Sequence, residues 1–181
     1  RGPGEIHYED IPDARLLGPH GAVVQTTLCS ICGTDLHPYH TDMGARDYCI
    51  GHEAVGKIVE IGSEVRGFSV GDRVLIPASI GCGTCANCLS GNVILCTTFE
   101  NMKAYGQGDP TIPGCQAEAV AVSQAANNLF HLPDELSDDI GLLLTDVVDS
   151  MRMRMPEGLP LVLLGHSMGG LVASCFVALR R

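Results

Sequence analysis

Four cysteines fall within one short stretch, Cys82, Cys85, Cys88 and Cys96 in GCGTCANCLSGNVILC. Their spacing is C-x2-C-x2-C-x7-C, and the interleaved glycines let four thiolates turn onto a single tetrahedral ion. A redox pair or a set of free buried thiols is the alternative, but so many thiols in so short a loop are hard to bury without a common partner. A closed metal lobe over about residues 81–100 is therefore the strongest constraint on the fold. The start of the chain, Arg1-Gly2-Pro3-Gly4-Glu5, shows no basic-then-apolar leader. For a chain with nine cysteines this favours metal or redox chemistry over disulfides and sets the expectation of a cytoplasmic protein.

The remaining totals narrow the function classes. At 181 residues the chain holds one domain comfortably, or one domain and a fragment of another. No apolar run approaches a membrane span, so no membrane partner is expected. A net charge of −10 with no Lys/Arg cluster argues against a nucleic-acid partner.

Patterning predicts a mainly β body with few helices. AVVQTTLC at 22–29, EAVGKIVEI at 53–61, the segment 73–76 and AEAVAVSQ at 117–124 read as strands bounded by glycine and turn residues. A helix is expected from about Asp138, with Ser137 as its N-cap and Asp138 and Asp139 favourable against the first-turn dipole. Short strands with one late helix suggest a partly open β-barrel. In MRMRMPEGLP, at 151–160, prolines and a glycine break the helix, and a boundary is placed there: residues 1–149 as one domain, 150–181 as a short strand-turn-helix α/β fragment.

Two further segments carry metal-ligand chemistry. ICGTDLH at 31–37 supplies Cys32, and GHEAVG at 51–56 supplies His52. A thiolate and an imidazole are common zinc ligands, although singly a cysteine beside isoleucine is often core and a histidine before glutamate is often a surface pair. Cys29, Cys49, Cys115 and Cys175 read as buried apolar thiols, and His7, His20, His40 and His131 as surface or turn residues.

Taken in order, GPGEIHYEDIPDA, ICGTDLHPYH, IGHEAVGKIVEIGSEVRGFSVGDRV, the cysteine loop, QAEAVAVSQAANNLFHLPDELSD and GLLLTD resemble the zinc-containing alcohol dehydrogenases of the medium-chain dehydrogenase/reductase family, over about residues 2–146. The resemblance implies a GroES-like catalytic domain and two zinc ions per chain. The structural ion would be held by Cys82, Cys85, Cys88 and Cys96. The catalytic ion would be held by Cys32, His52 and Asp146, the last as in the branch resembling formaldehyde, threonine and sorbitol-type dehydrogenases. Thr34 matches the hydroxyl that hands an alcohol proton onward, and His37 a later member of that relay. Asp35 matches the carboxylate that holds the ligand histidine's other ring nitrogen. Glu53 matches an acidic neighbour able to approach the metal during ligand exchange. Asp146 could instead be an ordinary exposed helix carboxylate. A small alcohol substrate, NAD(P) and homo-oligomer formation are implied with the family.

After GLLLTD the family pattern stops. LVLLGHSMGGLVASCFVALRR places glycine at 165 and 170 but Ser167 at the middle glycine of a dinucleotide loop, where a side chain obstructs the pyrophosphate. The segment resembles the nucleophile elbow, G-x-S-x-G, of lysophospholipase and monoacylglycerol-lipase type α/β-hydrolases. The acid and histidine that follow the serine in that fold are missing from the residues after Met168. The expected function is zinc-dependent, NAD(P)-linked oxidation of a small alcohol or hydroxymethyl adduct, with weak or no cofactor binding by this chain alone and a chimera-like junction near residue 150. A serine esterase fragment using Ser167 and a non-catalytic zinc-binding fold are the alternatives.

Overall fold

The computed structural model describes residues 2–42, 47–98, 104–107, 109 and 112–151. The expected α/β fragment, with Ser167 and Cys175, lies outside the described residues.

Five strands form one antiparallel sheet: β1 (Ala22–Cys29), β2 (Ala54–Ile61), β3 (Arg73–Ile76), β4 (Ala119–Val122) and β5 (Phe130–His131), in the order β4-β1-β2-β3-β5. Three short helices, α1 (Leu36–His40), α2 (Ala86–Leu89) and α3 (Ala125–Asn128), occupy connections, and a long helix, α4 (Asp138–Met151), ends the described chain. The architecture is mostly sheet with few helices, as the patterning implied. Among the described residues the sheet is open, with β4 and β5 at its edges.

Alternation explains why both faces are covered. Val24, Ile58, Val74, Ile76, Val120 and Val122 point into one core, which Tyr105, Cys115, Ala125 and Leu129 complete. The intervening positions Val55 and Leu75 point the other way and meet Leu132 and Leu144 beneath α4. Successive strand residues thus feed two layers. Gly141 lets α4 lie close, since a Cβ there would stand 2.7 Å from Leu132 Cδ2. Gly56 has the same role within the sheet, where a Cβ would run into the Gln25 carbonyl oxygen.

Arg73 ties α4 to β3. Its guanidinium donates to the Leu136 carbonyl at 2.8 Å and to Asp138 Oδ1 at 2.6 Å. Ser137 stands immediately before the helix and its carbonyl accepts the Gly141 N–H at 2.9 Å. The Ser137 hydroxyl engages the Asp139 carboxylate and holds that group below the usual carboxylate range.

Some boundaries differ from the sequence reading. The strand expected at 117–124 spans only Ala119–Val122, because Gln124 takes a left-handed conformation, φ +47°, and turns the chain into α3. The two-residue β5 was not anticipated, being too short to show a period. The expected domain boundary near 150 lies at the edge of the described residues, beside the last residues of α4. His7, His20, His40 and His131 are exposed, as expected. His131 still has a structural contact: it stacks on Phe68 at 4.3 Å between ring centroids. No helix of the described residues is long and apolar enough to cross a membrane.

Candidate metal centres

The cysteine lobe brings Cys82, Cys85, Cys88 and Cys96 together, their sulfurs all within 4.8 Å of one another. Cys82 Sγ lies 3.9 Å from Cys88 Sγ, and Cys85 Sγ 3.9 Å from Cys96 Sγ. No disulfide links any described cysteine. A tetrahedron of thiolates about 2.3 Å from a central ion has edges of about 3.8 Å, so the spacing fits one zinc-sized ion.

Local backbone stabilises the thiolates. Cys85 N–H donates to Cys82 Sγ at 3.3 Å, Cys88 N–H to Cys85 Sγ at 3.4 Å and Cys82 N–H to Cys96 Sγ at 3.4 Å. At Cys82 desolvation is overcome by bonds from Thr84 and neighbouring groups, which lower its thiol to about 5. The Cys88 N–H is the main cause that lowers Cys85 to about 7. Desolvation and the adjoining sulfurs push Cys88 up to about 12. Four sulfurs at this spacing cannot all carry charge without a cation between them.

The second cluster forms where β1 ends and β2 begins. Cys29 pairs with Ala54 at the last register position, so the chain leaving β1 runs beside the chain entering β2. A tight turn of Gly33–Asp35 follows Cys32, fixed by the Asp35 N–H to the Cys32 carbonyl at 3.1 Å and the Cys32 N–H to Asp35 Oδ2 at 2.9 Å. The other carboxylate oxygen, Asp35 Oδ1, lies 3.2 Å from His52 Nδ1, off the ideal hydrogen-bond line. Asp35, His52 and Glu53 are buried. Asp35 chiefly pushes His52 up to about 9, with burial opposing and Cys32 assisting. Burial raises the Asp35 carboxyl, but His52 and the Cys32 and Gly51 backbone outweigh it and hold the group below its ordinary value.

His52 would offer its ring nitrogen to a metal only after losing the proton that this pairing holds, and Asp35 would keep the ring oriented through Nδ1. Gly51, just before His52, adopts φ +94°, and a Cβ there would stand 2.5 Å from Gln116 Cγ. Only glycine turns the chain sharply enough beside Gln116 to aim His52 inward.

Cys32, His52 and Glu53 have ligand atoms within 4.8 Å of one another, a soft thiolate, an imidazole and a carboxylate that together suit zinc. Glu53 Oε1 is 4.0 Å from His52 Nε2. Thr34 Oγ1 lies 3.1 Å from the same nitrogen. Thr34 and His37 are exposed, His37 on α1.

The structure does not bring Asp146 to this cluster, since its carboxylate does not share the 4.8 Å group with Cys32 and His52. Gly141, Leu144 and Thr145 form the buried side of α4, and Asp146, one position after Thr145, falls on the exposed side. The gathered ligand atoms do not include Asp146, the carboxylate expected from GLLLTD. Glu53 is the carboxylate at the cluster.

Two supports were not foreseen. Asn128, fully buried on α3, donates to the Gly81 carbonyl at 2.9 Å and the Ser123 carbonyl at 2.8 Å, and accepts from the Gly81 N–H at 3.0 Å. It pins the root of the cysteine lobe to the sheet. The second is Ser30, whose hydroxyl donates to Glu53 Oε2. An asparagine after a strand and a serine before Cys32 carry no pattern that marks them in advance. A cavity of about 910 Å³ under the N-terminal segment includes Asp35, Tyr48 and Gln116 in its lining but none of the three clustered donors. It reaches the cluster from behind, at Asp35, and not at the ligand atoms themselves.

A four-thiolate lobe and a Cys/His/Glu cluster on one antiparallel sheet give the domain two groups of side chains that could each hold a metal ion. The Alcohol dehydrogenase GroES-like domain matches residues 18–134, and the chain belongs to that family. It is 38% identical over 146 residues to a protein of Mycobacterium tuberculosis named a probable zinc-binding alcohol dehydrogenase, covering 80% of this chain and 37% of that one. It is 38% identical over 140 residues to L-threonine 3-dehydrogenase of Klebsiella pneumoniae, covering 75% and 38%. The solved alcohol dehydrogenase TADH from Thermus sp. ATN1 superposes with a TM-score of 0.70 at 32% identity, over 77% of this chain and 40% of that chain. The chain thus spans less than two-fifths of the length of these curated relatives.

Proposed function

We propose that this chain is the catalytic domain of a zinc-dependent alcohol dehydrogenase, acting on a small alcohol or hydroxymethyl adduct with NAD(P) as hydride acceptor. The observation that supports this reading most is the gathering of Cys32, His52 and Glu53 next to an ordered Asp35–His52 pair. Zinc held there supplies a Lewis acid that polarises an alcohol oxygen and lowers its pKa. Asp35 fixes the His52 ring so that Nε2 faces the ligand position. Thr34, exposed and 3.1 Å from Nε2, is placed to take the substrate's hydroxyl proton and release it toward His37. Glu53 provides a carboxylate that can close on the centre or withdraw. NAD(P), when bound, would supply the hydride acceptor, so that the alcohol carbon gives up hydride and its oxygen a proton to leave a carbonyl compound.

Two zinc ions per chain follow from this reading, one in each cluster. Elemental analysis of purified protein tests it: about two equivalents are expected, and well under one equivalent would end it. The domain is taken as residues 1–149, with 150–181 a separate strand-turn-helix fragment resembling a hydrolase elbow. That segment offers no complete dinucleotide fold, so the 181-residue chain alone binds NADH weakly or not at all; micromolar affinity by calorimetry would refute this. Residues 168–181 contain neither a histidine nor a carboxylate, so within them Ser167 has no activating partner and the dehydrogenase reading stands ahead of the esterase one. Stoichiometric labelling by a fluorophosphonate probe, lost in Ser167→Ala, would instead establish the esterase reading.

A further inference from the structure

We infer that Ser30 is a positioning residue that fixes how Glu53 presents its carboxylate to the reactive centre. This rests on the metal-binding reading of Cys32, His52 and Glu53 given above.

The fold places Ser30 opposite Glu53. The antiparallel register ends at Cys29↔Ala54, and one step further the Ser30 N–H donates to the Glu53 carbonyl at 3.2 Å. Side chains at directly opposite positions of antiparallel strands lie within reach of each other, and here the Ser30 hydroxyl donates to Glu53 Oε2. That bond divides the work of the carboxylate. Oε2 is engaged by Ser30, while Oε1 faces His52 Nε2 at 4.0 Å.

The serine is itself held from the other side. Gln116 Nε2 donates to the Ser30 carbonyl at 3.2 Å, and the Gln116 N–H reaches the Ile50 carbonyl at 3.0 Å. Ser30 is thus braced between the segments on either side of Glu53 and Cys115. Glu53 is buried, and the Ser30 hydroxyl is bonded to its carboxylate. Ser30 does not touch the metal position; it acts through Glu53, leaving one oxygen for the centre and keeping the other away.

Partners that orient metal ligands affect metal affinity by about 10- to 100-fold. The test loads the full chain with cobalt(II) and follows release to a chelator by the loss of thiolate–cobalt absorption. Two phases are expected in the parent, the faster assigned to the reactive centre by its disappearance in Cys32→Ser. Ser30→Ala is expected to accelerate that phase about tenfold, to alter its visible cobalt spectrum and to leave the slow phase unchanged. Ser30→Thr, which restores a hydroxyl, is expected to recover the parent rate. In a Glu53→Ala background, Ser30→Ala should add nothing further. A parent that binds only one cobalt would overturn the metal-site reading and this inference with it. A parent that binds two, with Ser30→Ala indistinguishable from it, would overturn the inference alone. So would an effect that persists in full without Glu53.

Discussion

The two metal clusters are assembled in opposite ways. In the cysteine lobe one short loop contributes every ligand, and its own backbone N–H groups bond the sulfurs. In the Cys32–His52–Glu53 cluster the ligands come from two segments that meet only because β1 and β2 pair. The lobe has four like ligands and no place for a substrate. The other cluster has three unlike candidate ligands, an exposed threonine beside it and one further buried carboxylate, Asp35, behind its histidine. A closed site can be written into a loop, whereas a reactive one depends on the sheet.

The sharpest way to break this contrast is to remove one thiolate. Cys88→Ser is expected to abolish metal binding by the lobe and cost several kcal/mol locally, since structural zinc contributes about 10–16 kcal/mol of binding free energy in small zinc domains. Hydrogen exchange should show residues 81–98 losing protection while 22–29 and 54–61 keep theirs. Loss of protection throughout the sheet would show that the lobe is not an independent unit.

Asn128→Ala comes next. It removes the acceptor of the Gly81 N–H and one of two donors to the Gly81 carbonyl, which keeps Asn127 Nδ2 at 3.0 Å, an expected loss of about 1–3 kcal/mol in denaturant melts. The lobe should keep its metal but detach from α3, visible as faster exchange at Gly81. A change under about 0.5 kcal/mol would mean the attachment lies elsewhere.

Asp35→Asn probes the other cluster. It should weaken metal binding there by about 10- to 100-fold, equivalent to about 1.4–2.7 kcal/mol, and leave the four-thiolate site unaffected. Asp146→Ala should change neither site, because its side chain lies on the exposed side of α4. A drop of one metal equivalent in Asp146→Ala would restore the ligand set read from GLLLTD.

The smallest effect lies away from both metals. Arg73 holds the Asp138 carboxyl below its ordinary value, so this pair contributes stability above the unfolded-state pKa and loses it as pH falls through the lowered folded-state value. The Asp138 side chain is partly exposed, which limits the contribution to about 1 kcal/mol or less. Asp138→Asn should remove that part of the acid-limb slope in pH-dependent melts while metal content stays constant. An unchanged slope would show that the ion pair adds nothing measurable.

The contrast also explains what could be read from the chain. Cys82, Cys85, Cys88 and Cys96 were legible because spacing alone determines whether a short loop can close on an ion. Cys32 and His52 were legible only as members of an ordered series of motifs. Asp146 was named from its place in GLLLTD, which shows a carboxylate at the right count but not which side of α4 it occupies, and there it is exposed. Gly141, Leu144 and Thr145 decide that by packing, and their phase becomes visible only with the sheet beneath them. Asn128 and Ser30 were missed for a related reason: each works through one neighbour distant in sequence, Gly81 and Glu53, and leaves no local periodicity. The strands of residues 22–29 and 54–61 were read almost to their ends, since β-branched runs bounded by turns mark them. β5 was not, because two residues held by pairing with β3 have no period of their own.

The strand order β4-β1-β2-β3-β5 also sets a timetable. β1 must find β2 across one connection and β4 across a span that contains the entire cysteine lobe, and long spans are slow to close. The lobe needs no such search. Its four sulfurs can capture an ion as soon as their own loop is made, turning a floppy stretch of the β3–β4 span into a compact bead and shortening the distance left for β4 to travel. The reactive centre, built on the β1–β2 junction, can be loaded only afterwards. On the two-ion reading proposed above, metal uptake by this domain would be ordered in time, with the ion of the lobe arriving first and helping to build the place where the second one is held.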